Sequence, residues 1–354
     1  MYMNDQTIQS GALEDDRVLE EKEKDFLLAE AVSSPDVVRW EEKHKVQWRR
    51  FEIFNQNGSG SCVAQSGAKL LGIIYKLRNP DDGYVHFSAT DIYQKRKNKP
   101  SGGMQGVDAF NIMREGVTLE SLVPSQNMND RAMDGVVIPQ YKREVGKVFK
   151  IGGYLTLPTA DIETVASTIQ KTGKGVMVWF YFNRDEWGSV PNIQDTSLAP
   201  YEQKALRHSV VAVDFTIYQG KKALIIEDSW GFGAGMGGQR VVTEDFFKVR
   251  NIFSAYALNF KFSQSSERVE VREFTKELEF TTFVSCDTET VRLQEELKRR
   301  GFFPDMECTG YFGAITKRAV GKFQEAHGIV RKGGPGYGRF GPDTMEKLNS
   351  LINR

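Results

Sequence analysis

The chain lacks a net charge, a long apolar run and a large complement of cysteines. Its 354 residues carry 47 Lys and Arg against 47 Asp and Glu, so no strong overall field attracts nucleic acid. No apolar run approaches the length needed to cross a membrane. Residues 1–5 have neither the basic start nor the apolar core of a secretory signal. The sequence therefore predicts no nucleic-acid partner and no membrane span, and we expect synthesis in the cytoplasm without a recognisable signal peptide.

Only three cysteines and four histidines occur. Cys286 and Cys308 fall near the C-terminus, where free thiols are the default in a reducing cytoplasm and a disulfide between them can form after export. The third, Cys62, stands in a context that indicates chemistry. No motif in the chain predicts a cofactor or a metal site.

The most informative segment is the Gly/Ser-rich run at residues 55–66, which contains Cys62. Residues 63–75 have apolar side chains at helical spacing, so the thiol is predicted to lie at a helix N-terminus. Unpaired N–H groups and the positive end of the helix dipole favour a thiolate there. Gln56, six residues upstream, can help the Cys62 N–H to hold an oxyanion. This pattern indicates a nucleophilic cysteine.

Such a nucleophile needs a base, and a candidate occurs far along the chain. His208 precedes the strand-like run at residues 209–213, and Asp228 follows a second strand-like run at residues 223–226. Only the fold can bring these residues to Cys62, because they are distant in sequence. We therefore expect a Cys–His–Asp site assembled from one helix and two strands.

The order of these motifs resembles that of the papain-like cysteine peptidases. Their pattern is a Gln, a Gly/Ser loop, a Cys on a helix, a His on a strand, and Asn-Ser-Trp-Gly after the next strand. The resemblance implies that Cys62 is the nucleophile, His208 the base, Gln56 the oxyanion donor and Asp228 the orienting group. It also implies an α+β fold with two lobes, one helical and one β-barrel-like.

The same resemblance implies a set of residues around the substrate. Gly102 and Gly103 correspond to the Gly-Gly that lines the cleft, and Trp230 to the tryptophan that shields the His–orienter hydrogen bond. Arg207 and Ser209 flank the base beside the pocket for the side chain two places before the scissile bond. Arg207 would give that pocket a positive edge, which favours a carboxylate-bearing group. The alternative is that Arg207 faces solvent or pairs with an acidic residue, in which case its charge does little.

One departure from the family pattern alters the electrostatics of the site. Asp228 stands where the family has Asn, and a carboxylate favours imidazolium more than an amide does. We therefore expect the thiolate–imidazolium pair to persist to higher pH. Because Asp orients His in other hydrolases, the change is compatible with activity.

The C-terminal segment has a pattern of its own. Two Phe-Gly elements, each separated by two residues from a following Thr, predict turns that open helices, and a leading helix carries Leu293 and Leu297 at helical spacing. This order resembles the peptidoglycan-binding module found in bacterial and phage wall hydrolases, and it implies a small three-helix domain. Residues 286–354 contain twelve Lys and Arg against nine Asp and Glu, a slight excess that suits an anionic wall.

The sequence is thus divided into four parts: an acidic N-terminal extension (1–33), a papain-like peptidase domain (34–262), a linker (263–285) and a peptidoglycan-binding-like domain (286–354). The extension is interpreted as a surface helix or frayed tail, with a minimal plug of the enzyme as the alternative. The predicted function is cleavage of peptide bonds by a Cys–His–Asp triad, acting at the bacterial cell wall or from a virion.

Two other interpretations remain open at this stage. The enzyme could cleave proteins in general and be anchored by its C-terminal module, or the peptidase fold could be a relic in a wall-binding or virion structural protein. Labelling of Cys62 separates an enzyme from a relic, and digestion of casein against wall sacculi separates the two enzymes.

Overall fold

A computed structural model describes residues 11–13, 37–80, 84–157, 160–182, 187, 192–193, 206–249, 252–261, 273–279, 288–304, 308 and 310–352. Of the predicted N-terminal extension it describes only residues 11–13. Much of the predicted linker and Cys286 also lie outside the described residues.

The first part of the chain is mainly helical. Its described residues form two short strands, a 3₁₀ turn at Lys45–Gln47 and five helices: β1 (Ala12–Leu13), α1 (Cys62–Arg78), α2 (Ala89–Tyr93), β2 (Met104–Gln105), α3 (Gly106–Glu115), α4 (Asp130–Gly135) and α5 (Gln140–Gly146). Helix α1 is buried continuously from Cys62 to Tyr75, which is typical of a helix enclosed on every side. Gly72 allows this enclosure, because a Cβ there would stand 2.3 Å from the Tyr84 hydroxyl.

The second part is built on a seven-stranded sheet. Its elements are β3 (Lys150–Thr156), α6 (Ile162–Thr172), β4 (Val176–Phe182), β5 (Asn192–Ile193), β6 (Leu206–Tyr218), β7 (Lys221–Glu227), β8 (Gln239–Thr243), α7 (Glu244–Val249) and β9 (Ile252–Lys261). The strand order is β3-β9-β4-β6-β7-β8-β5, with antiparallel neighbours except for the parallel pair β5–β8.

The two faces of the sheet belong to different hydrophobic clusters. On β4, Met177 and Trp179 face the cluster that contains α1, whereas Val178 and Phe180 face the cluster that contains α6. This alternation is the period-two pattern of a strand buried on both sides. Helix α1 therefore lies against one face of the sheet with its N-terminus directed at the strands that carry the site.

A buried ion pair joins α1 to the sheet. Lys69 Nζ lies 3.1 Å from Glu227 Oε2, with both side chains at most 2% exposed, and the other Glu227 oxygen accepts from the Phe51 N–H at 2.6 Å. Lys69 is two turns along the helix from Cys62, and Glu227 directly precedes Asp228. The pair thus fixes the spacing between the two elements on which the candidate site depends.

The C-terminal unit consists of α8 (Thr288–Arg299), α9 (Ala314–Ala326) and α10 (Pro342–Ile352). Two buried glutamines connect its parts in equivalent ways. Gln294 donates to the Tyr311 carbonyl and the Thr316 hydroxyl and accepts from the Gly310 N–H. Because every polar group is paired, this network stabilises the turn before α9.

The second repeat uses the same arrangement. Gln324 donates to the Arg339 carbonyl at 2.9 Å and to the Thr344 hydroxyl at 2.9 Å, and it accepts from the Gly338 N–H at 2.7 Å. The sequence indicated the Phe-Gly and Thr elements, and the structure adds the glutamine that connects each turn to the preceding helix.

Residues 273–279, which the sequence assigned to the linker, contact the C-terminal helices. The Phe274 N–H donates to the Asn349 side chain at 2.8 Å, and Leu278 forms a two-way backbone bridge with Phe340. Phe274 and Leu278 are both buried. The α+β class with a helical lobe, a sheet lobe and a small three-helix domain is confirmed.

Two searches of the described residues gave negative results. No helix there is long and apolar enough to cross a membrane. No group of three or more His, Cys, Asp or Glu side chains there could hold a metal ion.

Candidate active site

Cys62 is the first residue of α1 and is fully buried. The loop before it makes close contacts that require glycine, since a Cβ at Gly60 would lie 2.8 Å from the Gly103 N atom. The Gly60 N–H also donates to Asp130 at 3.0 Å. The first N–H groups of a helix have no partner within the helix. The thiol is therefore held where the sequence predicted it, at the electropositive end of a long helix.

His208 on β6 and Asp228 after β7 are adjacent in the structure. His208 Nε2 lies 2.8 Å from Asp228 Oδ1, and both side chains are almost completely buried. The Cys62 side chain is close enough to the His208 ring to help raise the pKa of that imidazole. The fold thus brings together the three residues that the sequence placed in one site.

Four hydrogen bonds hold the Asp228 carboxylate. Oδ1 accepts from the His208 ring and from the Ser229 N–H at 2.7 Å. Oδ2 accepts from the Trp187 indole at 2.9 Å and from Arg240 Nε at 2.9 Å. Neither Trp187 nor Arg240 is indicated by a sequence motif. Arg240 is a cation inside the short buried strand β8, and Trp187 has no local pattern around it.

The electrostatics of the pair follow from these contacts. Burial by itself would lower the pKa of His208, but the Asp228 carboxylate and then the Cys62 hydrogen bond outweigh it and raise the pKa to about 9. Burial would raise the pKa of Asp228, but His208 and then Arg240 hold it well below its usual range. The arrangement therefore favours an imidazolium beside an ionised carboxylate at neutral pH.

Aromatic rings enclose the His208 side chain. Trp187 and Trp230 have ring centroids 5.5 Å from it, and Phe180 and Phe182 lie at 6.1 and 5.7 Å. These rings exclude water from the His208–Asp228 hydrogen bond, which strengthens it. Trp230 is thus placed beside the hydrogen bond that it was predicted to shield.

Gln56 joins the nucleophile loop to the segment after Asp228. The side-chain amide Nε2 of Gln56 donates to the Ser59 carbonyl at 2.6 Å. The backbone N–H of Gln56 donates to the Ser229 carbonyl at 2.7 Å. The Ser229 hydroxyl donates to Gln56 Oε1 at 2.5 Å. An amide carries two N–H hydrogens, so one remains after the bond to Ser59.

The predicted substrate-binding residues Gly102, Gly103, Arg207 and Ser209 fall on two segments, the loop before β2 and strand β6. Gly103 has a φ of +79° and donates its N–H to the Tyr93 hydroxyl at 3.0 Å, whereas Gly102 is exposed. Arg207 and Ser209 flank His208 on β6, where Arg207 is half-buried and Ser209 fully buried. Their predicted part in a specificity pocket stays a prediction.

Residues 11–13, the described part of the N-terminal extension, lie beside Cys62. β1 pairs in parallel with β2, and the Met104 N–H donates to the Gly11 carbonyl at 2.8 Å. A Cβ at Gly11 would stand 2.6 Å from Cys62 Sγ and 2.3 Å from the Gly60 carbonyl oxygen. The backbone at Gly11 therefore covers the thiol, which is why Cys62 has no exposed surface.

Comparisons with known proteins agree with this architecture. Xylellain, a cysteine protease from Xylella fastidiosa, superposes with a TM-score of 0.53 at 14% identity, over 75% of this chain and 99% of its own. Procathepsin L 3 from Tenebrio molitor gives 0.47 at 16%, over 71% and 74%, and bromelain from Ananas comosus gives 0.44 at 20%, over 58% and 93%. No curated protein sequence matches the chain significantly.

Family models account for both parts of the chain. The model for the peptidoglycan binding domain matches residues 287–348. The model for papain family cysteine proteases matches residues 34–251, which is more than half of the chain. The chain therefore belongs to the papain family of cysteine proteases and carries a C-terminal peptidoglycan-binding domain.

Proposed function

We propose that Cys62, His208 and Asp228 form the catalytic triad of this protease and that the C-terminal domain directs it to the bacterial cell wall. The observation that carries the triad is the buried His208–Asp228 hydrogen bond of 2.8 Å, beside the Cys62 side chain that helps to raise the pKa of His208. Cys62 lies at the N-terminus of a buried helix, where a thiolate is stabilised.

The chemistry follows from the positions of these groups. The Cys62 thiolate attacks the peptide carbonyl carbon, and the Cys62 N–H and the second N–H of Gln56 donate to the oxyanion. His208 then gives its proton to the leaving amine, and the C–N bond breaks to leave a thioester. Water, deprotonated by His208, attacks the thioester and releases the acid and the free thiol. Asp228 keeps the imidazole oriented and stabilises its cation throughout.

The triad is tested with a matched pair of cysteine variants. Cys62→Ala should lose peptide hydrolysis and labelling by an epoxide thiol inhibitor, whereas Cys308→Ala should keep both, because Cys308 is a buried cysteine of the C-terminal domain. Melting curves of both variants serve as the folding control. Turnover that persists in Cys62→Ala would refute the catalytic assignment.

Wall targeting is tested by sedimentation. In a Cys62→Ala background, the full chain should sediment with insoluble wall sacculi, and a chain ending at residue 272 should remain in solution. The cut is placed there because Phe274 and Leu278 pack with the C-terminal helices. Wall targeting would be refuted if the two proteins sedimented equally, or if neither sedimented with sacculi from a panel of bacteria.

General protein cleavage by an anchored enzyme is the second candidate. Its support is that the triad itself contains no feature specific to wall peptides. Digestion of casein by the full chain, with no release of peptides from sacculi, would favour it over a wall hydrolase.

A further inference from the structure

Arg240 is a buried cation in contact with the candidate site. Its side chain is completely buried, and its Nε donates to Asp228 Oδ2 at 2.9 Å. The guanidinium also lies over the rings of Trp187 and Trp230, 5.1 and 5.7 Å from their centroids. A buried charge is costly unless it is paired, and the arrangement provides Arg240 with one carboxylate and two aromatic faces.

The pairing coincides with the one departure of the triad motif from the family pattern. Asp228 occupies the position at which the resemblance places an uncharged Asn. An Asp in a closed pocket adds a negative charge that an Asn does not have. Arg240 supplies the opposite charge on the oxygen that His208 does not use.

Resting on the proposed triad, we propose that Arg240 is a positioning residue: it neutralises Asp228 and fixes its carboxylate, so that the Asp228–Arg240 pair orients His208 as an uncharged amide would.

The geometry gives this pair a directional effect. Oδ2 is held by Arg240 and by the Trp187 indole, so the carboxylate plane cannot turn, and Oδ1 stays directed at His208 Nε2. Strand register supplies the position of the cation, because Arg240 pairs with Ile226 on β7, two residues before Asp228. The alignment of β7 and β8 therefore brings the guanidinium to the carboxylate.

The proposal also predicts how charge acts on His208. Among the residues that the structure describes, charged or titratable groups reach the ring from three sides: Cys62 on α1, Asp228 after β7, and Arg240 on β8 through that carboxylate. The ring neighbours on β4 and beside it are aromatic and uncharged. The Asp228 carboxylate favours the imidazolium form of His208, and the Arg240 cation opposes it. Removing the charge of Arg240 should therefore raise the titration midpoint of His208, and removing the charge of Asp228 should lower it.

The test is a double-variant cycle with Arg240→Gln, Asp228→Asn and the combination of both. The first readout is the titration midpoint of His208, followed by NMR of histidine-labelled protein and assigned with His208→Gln. Arg240→Gln should raise the midpoint and Asp228→Asn should lower it, each by about one pH unit. The combined variant should fall between Asp228→Asn and the wild type.

A merely structural ion pair would also restore stability in the combined variant, but it would not restore the rate at which Cys62 is labelled. Asp228→Asn alone leaves Arg240 buried without its anion, so adding Arg240→Gln should restore thermal stability and increase the rate of Cys62 labelling by about tenfold. Arg240→Lys, which keeps the charge, should return the midpoint toward the wild-type value. Losses that simply add in the combined variant, or a midpoint that Arg240→Gln leaves unchanged, would overturn the proposal.

These outcomes are separable from failure of the proposed function. The midpoints and melting temperatures do not require turnover, so they report on Arg240 even if Cys62→Ala retains hydrolysis. Conversely, additive losses in the cycle would remove the role of Arg240 and leave the triad assignment standing.

Discussion

The backbone at Gly11 covers the Cys62 thiol, and we expect a methyl group added at this position to uncover it. Gly11→Ala adds one methyl group to the segment that covers the thiol. That Cβ would lie 2.3 Å from the Gly60 carbonyl oxygen and 2.6 Å from Cys62 Sγ, both well inside van der Waals contact. Because Gly60 is itself confined by Gly103 and Tyr93, the loop cannot yield, and β1 must move away instead.

The magnitude follows from the cost of overpacking a closed site. Inserting a methyl group into a packed interior costs about 1–3 kcal/mol. Within the described residues, β1 is held by the register pairs Ala12–Met104 and Leu13–Gln105 and by the hydrogen bond from the Met104 N–H to the Gly11 carbonyl. If reaction requires the open cleft, the fraction of open molecules should rise by about 5- to 150-fold. Deleting residues 1–13 should set the upper limit.

The assay is the rate at which an epoxide thiol inhibitor labels Cys62, with hydrolysis of a soluble peptide as a second measure. Gly135→Ala is the matched control, since a Cβ at Gly135 meets nothing within 4 Å. It should label at the wild-type rate. If Gly11→Ala also labels at that rate while deletion of residues 1–13 has no effect, then the segment does not control access and the reasoning is refuted.

Four further predictions follow from the site and its supports. Lys69→Ala should lower the free energy of unfolding by about 3–5 kcal/mol because Glu227 then stays buried without its cation; adding Glu227→Gln should recover part of this in denaturant melts, and additive losses would contradict the pairing. The raised pKa of His208 contributes stability that is fully present below pH 6.5 and is lost as the pH rises through about 9, so the melting temperature should fall over that window in wild type and less in His208→Gln. Gln324→Ala should unfold the C-terminal domain at lower temperature by leaving the Gly338 N–H without its acceptor, while peptide hydrolysis stays unchanged; a normal melt would mean that the network is dispensable. Arg207→Ala should reduce the preference for Glu over Phe two places before the scissile bond, and equal preference in both proteins would refute the charged-pocket prediction.

The residues that the sequence predicted carry local signals. Cys62 stands between a Gly/Ser loop and an apolar helical pattern, and His208 opens a run of β-branched residues that became β6. Asp228 follows the run that became β7. In each case the flanking hydrophobic pattern predicts a helix or a strand, and the position of the residue in that pattern predicts whether it lies near the start or the end of the element. Local pattern therefore assigns each residue to its element, and the resemblance to papain-like peptidases is what groups the three in one predicted site.

The residues that the sequence did not predict depend on contacts distant along the chain. Trp187 reaches Asp228 from 41 residues away, and nothing in its own neighbourhood indicates a buried indole. Gly11 covers Cys62 from the far N-terminus, and its sequence context gives no hint of strand pairing with Met104. The structural requirement for glycine there arises from the neighbouring loop, which only the folded chain supplies.

Asp228 and Arg240 form a buried charge pair of which the sequence motif indicates only Asp228. Its replacement of the family's Asn predicts a more stable imidazolium at His208 and says nothing of Arg240. A buried carboxylate also needs a counter-charge of its own, and the next strand offers Arg240 as a cation between Gln239 and Val241. Residues 228–238 connect β7 to β8, and this connection is too long for a tight hairpin to fix the register of Arg240 in advance. The Asp228–Arg240 pair has no net charge, and it stands where the family pattern has an uncharged Asn. Replacing either residue alone leaves the other as an unpaired buried charge, so each single variant should lose more stability than the variant in which both are replaced.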